Sequence, residues 1–227
     1  MPRSKLLLIF DLDGTLIDSA KDLTISVNAT LAHFNLPPLD EAVVHSYVGN
    51  GAAVLVRRSL GPHASDELAA EALAYFLRYY RAHALEHTHL YPDVRETLDQ
   101  LRDENHSMAV LTNKPARIST DIVNALGLGQ HFFRVYGGDS FGEKKKPHPA
   151  GIYKLREEAG VLPAHTWMIG DSGVDVQTAR NAGVPCCGVS WGFQPEAFRD
   201  FPPDRVITTP RELCSAINCK PVPGFLS

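Results

Sequence analysis

Leu6-Leu7-Leu8-Ile9-Phe10 runs straight into Asp11-Leu12-Asp13-Gly14-Thr15-Leu16. A short continuous apolar run suits a strand buried on both faces of a parallel sheet. It is far too short to span a membrane. It also ends in acids rather than at a small-residue cleavage site, which argues against a secretory signal. In open parallel sheets, ligands bind at the carboxyl ends of the strands. Side chains two apart on an extended chain point the same way, so Asp11 and Asp13 face one site if the backbone stays extended. Gly14 lets the chain turn there. Two carboxylates this close stay ionised together only with a cation between them, and a hard, oxygen-ligated ion such as Mg2+ fits. The competing explanation is a strand-end turn whose aspartates cap the next helix.

Working outward, similar apolar runs occur at 108–111, 133–136, 167–169, 184–189 and 206–207. Helical patterns lie between most of them. Val94, Leu98 and Leu101 share one helix face, as do Ile118, Ile122, Val123 and Leu126. Ile152, Leu155 and Ala159 precede Gly160, and Val174, Ala179 and Ala182 precede Gly183; glycine just past the last turn is a common helix stop. Strand and helix thus alternate from about residue 91, which predicts a Rossmann-like α/β core with a parallel sheet and helices on both faces. Residues 18–90 break the alternation. Leu23, Val27, Leu31 and Phe34 lie on one helix face, Pro37-Pro38 stops the chain, and 42–48, 52–60 and 65–85 are helix-like. The expected organisation is a catalytic core at 1–17 and 91–218, a small all-helical cap inserted after the first strand at 18–90, and a flexible tail at 219–227.

Three further clusters follow predicted strands. In Thr112-Asn113-Lys114, a hydroxyl and backbone N–H groups at a helix start can hold phosphate oxygens, and Pro115 favours that start; a plain Thr/Asn cap is the alternative. Lys146 precedes Pro147-His148-Pro149 at the end of a triple lysine, and an ammonium balances phosphate charge without strict geometry. Gly170-Asp171-Ser172-Gly173-Val174-Asp175 supplies two more acids. Asp171 could complete a metal site, and Asp175 could orient Lys146 or Asp171.

The 227 residues carry a formal net charge of −4, with 44% hydrophobic and 21% charged residues. That is an ordinary globular composition, and its mild acidity excludes the basic face of a nucleic-acid binder. Four cysteines without a CxxC pair suit free thiols in a reducing compartment, so the expected location is the cytoplasm.

The order DxDGT, hT-N, KP, GDxxxD is more specific than any one of its parts. With Val48-Gly49-Asn50-Gly51-Ala52 and Gly137-Gly138-Asp139, the chain resembles the haloacid dehalogenase superfamily over nearly its whole length. Within it, the chain is similar to the bacterial phosphoglycolate phosphatases. The resemblance implies a phosphate-monoester hydrolase in which Asp11 forms an aspartyl-phosphate and Asp13 serves as general acid and base. Mg2+ would be held by Asp11, Asp13 (through its backbone carbonyl) and Asp171, with Ser172 and Asp175 in support. Thr112, Asn113 and Lys146 would hold the phosphoryl oxygens. An acid at position 13 favours phosphoryl chemistry over dehalogenation, since a departing halide needs no proton.

The helical insert resembles the family's cap, where Gly49, Asn50 and Gly51 could offer backbone N–H groups to a substrate carboxylate. The implied substrate is a small phosphorylated metabolite, 2-phosphoglycolate first, with neither nucleic acid nor membrane as partner and a monomer or homodimer as the assembly. The alternatives are a β-phosphoglucomutase-like phosphosugar mutase, another small-ester or pyrophosphate hydrolase, or a phosphate-sensing module without turnover. Arg57 or Arg58 could add charge from the cap. His83, His87 and His89 suggest a zinc site only weakly, because no fourth ligand is evident.

Overall fold

The computed structural model describes residues 5–218. The tail expected at 219–227, with Cys219, lies outside the described residues. The core is one six-stranded sheet in the order β5-β4-β1-β6-β7-β8. Its strands are β1 (Leu7–Phe10), β4 (Ser107–Leu111), β5 (Arg134–Tyr136), β6 (Thr166–Gly170), β7 (Cys186–Val189) and β8 (Arg205–Ile207). Every neighbouring pair is parallel.

Burial explains why these strands read as unbroken apolar runs. Side chains alternate between two cores on opposite faces of the sheet. Leu8, Phe10, Met108, Val110, Trp167 and Ile169 point into one core. Leu7, Ile9, Ala109, Leu111 and Met168 point into the other. Helices α5 (Val94–Asp103) and α6 (Ala116–Ala125) cover the first face, where Leu98, Leu101, Ile118 and Ile122 are buried. Helices α7 (Ala150–Ala159) and α8 (Gly173–Ala182) cover the second through Ile152, Leu155, Val176 and Ala179. A short α9 (Leu213–Asn218) packs Leu213 and Ile217 on the first face. Helices α7 and α8 stop at Gly160 and Gly183, both left-handed, as the sequence predicts.

Between β2 (Ile17–Asp18) and β3 (His89–Leu90) the chain forms α1 (Ala20–His33), α2 (Glu41–Tyr47), α3 (Ala52–Leu60) and α4 (Asp66–His83). Helix α1 packs on α4 and α2, and α3 packs on α4. The β2–β3 ladder is antiparallel and sets Ile17 beside Leu90 and Asp18 beside His89. Two residues per strand leave no periodic signal, so the sequence predicts no strand there. The ladder holds both ends of the helical segment together. Among the described residues, no helix is long and apolar enough to cross a membrane.

The sheet order also places the site. From β1 the chain adds β4 and β5 on one side, then crosses to add β6, β7 and β8 on the other. Such a reversal opens a crevice at the carboxyl ends of the strands. Asp11, Thr112 and Asp171 are the residues that directly follow β1, β4 and β6.

Candidate active site

Strand β1 delivers Asp11 by continuing its ladder for one more bond, from the Asp11 N–H to the Ile169 carbonyl at 2.9 Å. The chain then turns tightly, with the Gly14 N–H on the Ile17 carbonyl at 2.9 Å. Gly14 has φ +78°, and a Cβ there would run into the Asp171 carboxylate. Both conformation and space therefore demand glycine.

The Asp11 carboxylate is buried and held from two sides. Its Oδ1 accepts from the Leu12 N–H at 2.7 Å, and its Oδ2 lies 2.9 Å from Lys146 Nζ. Lys146 also lies 2.6 Å from Asp175 Oδ1. The other oxygen of Asp175 accepts from the Ser172 N–H and hydroxyl, at 3.2 and 2.7 Å. The Asp175 N–H donates back to Ser172 Oγ at 3.4 Å and, with the Ser172 N–H bond, forms the capping box that starts α8. Asp171 accepts from the Thr15 hydroxyl at 3.2 Å and from the Phe193 N–H at 2.7 Å.

Asp11, Asp171 and Asp175 are all buried, and each offers an oxygen within 4.8 Å of the others. Burial pushes the Asp171 carboxyl up to about 8, with Asp175 and Asp11 adding repulsion. Burial also raises Asp11, Lys146 draws it down, Asp175 raises it again, and it rests at about 6. The single Lys146 ammonium is shared by Asp11 and Asp175 and leaves the three acids short of positive charge. The oxygen donors of Asp11 and Asp171 fit a hard divalent cation.

Asp13 is placed differently. Its carboxylate stands outside that acid group and accepts at Oδ1 from Lys114 Nζ at 2.7 Å and from the Ser19 hydroxyl.

The sites predicted around phosphate meet at the same crevice. Asp11, Asp13, Thr112, Asn113, Lys114, Asp171 and Ser172 line a cleft of about 630 Å³, part of it open to solvent. Lys146 sits behind Asp11 rather than on the cleft wall. The facing wall comes from the helical segment, through Leu23, Val48, Gly49, Gly51, Ala52, Leu55, Phe76, Leu77 and Tyr80.

The glycine loop touches the core by its carbonyls. Gln194 Nε2 donates to the Val48 carbonyl at 2.7 Å, Asn113 Nδ2 to Gly49 at 3.0 Å, and Lys145 Nζ to Asn50 at 2.8 Å. Gly49 and Gly51 line the cleft, and Asn50 does not.

Neither Arg57 nor Arg58 lines the cleft. Arg57 pairs with Asp66 at 2.9 Å, and the Arg58 guanidinium lies over Tyr47 at 5.9 Å. His83 pairs with Glu86 at 2.6 Å, and His89 Nδ1 meets the His87 carbonyl at 2.9 Å. Among the described residues, no metal-binding group includes these histidines.

The sequence alone gives Lys114 and Tyr80 no role. Lys114 Nζ donates to the Tyr80 hydroxyl at 2.6 Å and lies 4.6 Å from its ring centre. Burial alone would lower the ammonium pKa, but Asp13 and Tyr80 outweigh it and hold Lys114 above the usual range. Burial lifts the Tyr80 phenol to about 12, so it stays neutral. Lys114 was visible beside Thr112 and Asn113, but only folding brings α4 against it.

Residues 8–189 match the family of haloacid dehalogenase-like hydrolases. The chain is 43% identical over 192 residues to the phosphoglycolate phosphatase of Pseudomonas savastanoi pv. phaseolicola, covering 82% of this chain and 70% of that protein. It is 37% identical over 212 residues to the phosphoglycolate phosphatase of Yersinia pseudotuberculosis, covering 92% and 91%. A crystal structure of a predicted phosphoglycolate phosphatase from Haemophilus somnus superposes with a TM-score of 0.87 at 32% identity, covering 93% of this chain and 97% of that one.

Proposed function

The chain belongs to the haloacid dehalogenase-like hydrolases and is a phosphatase, and we propose that it hydrolyses 2-phosphoglycolate through an aspartyl-phosphate on Asp11. The observation that carries this reading is the setting of Asp11. Asp11 lies just past the carboxyl end of β1, lines the cleft, and has Lys146 at 2.9 Å on one carboxylate oxygen. The substrate follows from the relatives, whose name is phosphoglycolate phosphatase.

In the first step an Asp11 oxygen attacks phosphorus. The P–O ester bond breaks, its electron pair leaves with the glycolate oxygen, and Asp13 gives that oxygen a proton. In the second step Asp13, now a carboxylate, takes a proton from water as the water oxygen attacks the aspartyl-phosphate. Phosphate leaves and Asp11 is restored. Thr112 and the Asn113 backbone hold the equatorial oxygens, while Lys146, bonded to Asp11 from behind the wall, offsets their negative charge. Mg2+ held by Asp11, Asp171 and the Asp13 backbone carbonyl would neutralise charge on the transferring group.

Residues 18–90 act in this reading as a cap over a core of 1–17 and 91–218. The β2–β3 ladder supports it by joining both ends of the segment. So does the cleft wall that the segment supplies. A cap excludes water and meets the non-phosphate part of the substrate.

The test is turnover of a small-ester panel with and without Mg2+, including 2-phosphoglycolate and β-glucose-1-phosphate. Metal-dependent release of phosphate with 2-phosphoglycolate as the preferred ester supports the proposal. Preference for the sugar phosphate would reject the substrate.

A further inference from the structure

One charged group in the cleft has no task in the phosphoryl chemistry. Among the described residues, Lys114 is the only lysine, arginine or histidine that lines the cleft. Lys146 is taken up by Asp11 and Asp175 behind the wall. Lys145 is held by the Asn50 carbonyl, and Arg57 and Arg58 turn elsewhere. The Lys114 side chain is 4% exposed, yet Lys114 lines the same cleft as Leu55, Phe76 and Leu77.

An ammonium has three donors. Two are occupied, by Asp13 Oδ1 at 2.7 Å and the Tyr80 hydroxyl at 2.6 Å. The third has no acceptor among the described residues. Tyr80 also fixes the ammonium from the cap side, so its position does not rest on a mobile stem.

Resting on the substrate reading above, we propose that Lys114 determines specificity by binding a carboxylate one carbon away from the ester oxygen. The spacing supports that chemistry. Asp13 must reach the ester oxygen to protonate it. Lys114 lies one hydrogen bond from Asp13. In an α-carboxylate ester a single methylene joins the ester oxygen to the carboxyl carbon, so one small molecule reaches both residues. A longer chain would carry its carboxylate past Lys114 toward the apolar wall, where an unpaired charge is costly. The glycine loop then shapes the cleft, while Lys114 supplies the charge that recognises the anion.

The experiment compares kcat/KM for 2-phosphoglycolate with kcat/KM for ethyl phosphate, which replaces the carboxylate by a methyl group. Both are measured on the wild-type protein with Mg2+, then on Lys114→Met and Lys114→Gln. The glutamine amide can still donate to Asp13, which keeps a folded variant available if methionine is not tolerated. Wild type is expected to prefer 2-phosphoglycolate. In either folded variant the ratio of the two kcat/KM values should fall by about a hundredfold, mainly through KM for 2-phosphoglycolate. A fall below tenfold, with both substrates losing alike, would assign Lys114 a structural role and overturn the proposal. A wild-type protein without the preference would instead refute the substrate reading, and the Lys114 assignment with it.

Discussion

The Asp175 carboxylate holds the Lys146 ammonium at 2.6 Å, deep enough that neither side chain is more than 1% exposed. The same carboxylate caps α8 through Ser172. One acid thus fixes the lysine that faces Asp11 and the helix that begins beside Asp171. Asp175→Asn should destabilise the fold by about 3–5 kcal/mol, the range for removing one partner of a buried ion pair. It should also lower kcat. Urea unfolding and steady-state kinetics on the same preparation check both. A variant with wild-type stability would show that Lys146 is held by Asp11 alone.

Metal should decide how stability varies with pH. Asp171 titrates near 3.8 when unfolded and at about 8 in the folded chain without metal. A folded value above the unfolded one means that the protonated form supports folding. That support is complete below the unfolded value and is lost as pH rises through about 8. The Tm in chelator should therefore fall between pH 6 and 8 more in wild type than in Asp171→Asn. Mg2+ at pH 8 should raise the wild-type Tm and leave Asp171→Asn nearly unmoved. Parallel curves for the two proteins would remove Asp171 from the metal site.

The loop at 48–51 should tolerate little at its last glycine. Gly51 has φ +88°, and a Cβ there would lie 3.0 Å from the Asn113 carbonyl. Gly51→Val therefore combines backbone strain with a clash against the Asn113 turn, which holds phosphate in the proposed mechanism. Because that turn serves every ester, kcat/KM should drop tenfold or more for 2-phosphoglycolate and for an aryl phosphate together. A loss confined to 2-phosphoglycolate would place the loop on the substrate carboxylate itself.

Much of this site is legible in the sequence because β1, β4 and β6 are short, mainly apolar and followed directly by polar residues. The strand ends alone bring Asp11, Thr112 and Asp171 together, and glycines at 160 and 183 mark where α7 and α8 stop. The partners of Asp13 were not legible. Alternation along an extended chain points Asp13 with Asp11, and both line the cleft, but only folding brings Lys114 and Ser19 onto Asp13 Oδ1. Tyr80 was hidden because it reads as an ordinary apolar position on α4. Its bond to Lys114 spans 34 residues and depends on how the helical segment seats on the sheet. Ladder β2–β3 was hidden because two-residue strands carry no period.

The central claim is that Asp11 carries the phosphoryl group. Protein turning over 2-phosphoglycolate with Mg2+ can be acid-quenched, reduced with borohydride, digested and read by mass spectrometry. An acyl phosphate is reduced to an alcohol, whereas a free carboxylate is not. Conversion of residue 11 from aspartate to homoserine, dependent on both substrate and Mg2+, is the predicted result. Asp11 found intact in enzyme that was forming product when quenched, or the conversion found at another acid, would contradict the account.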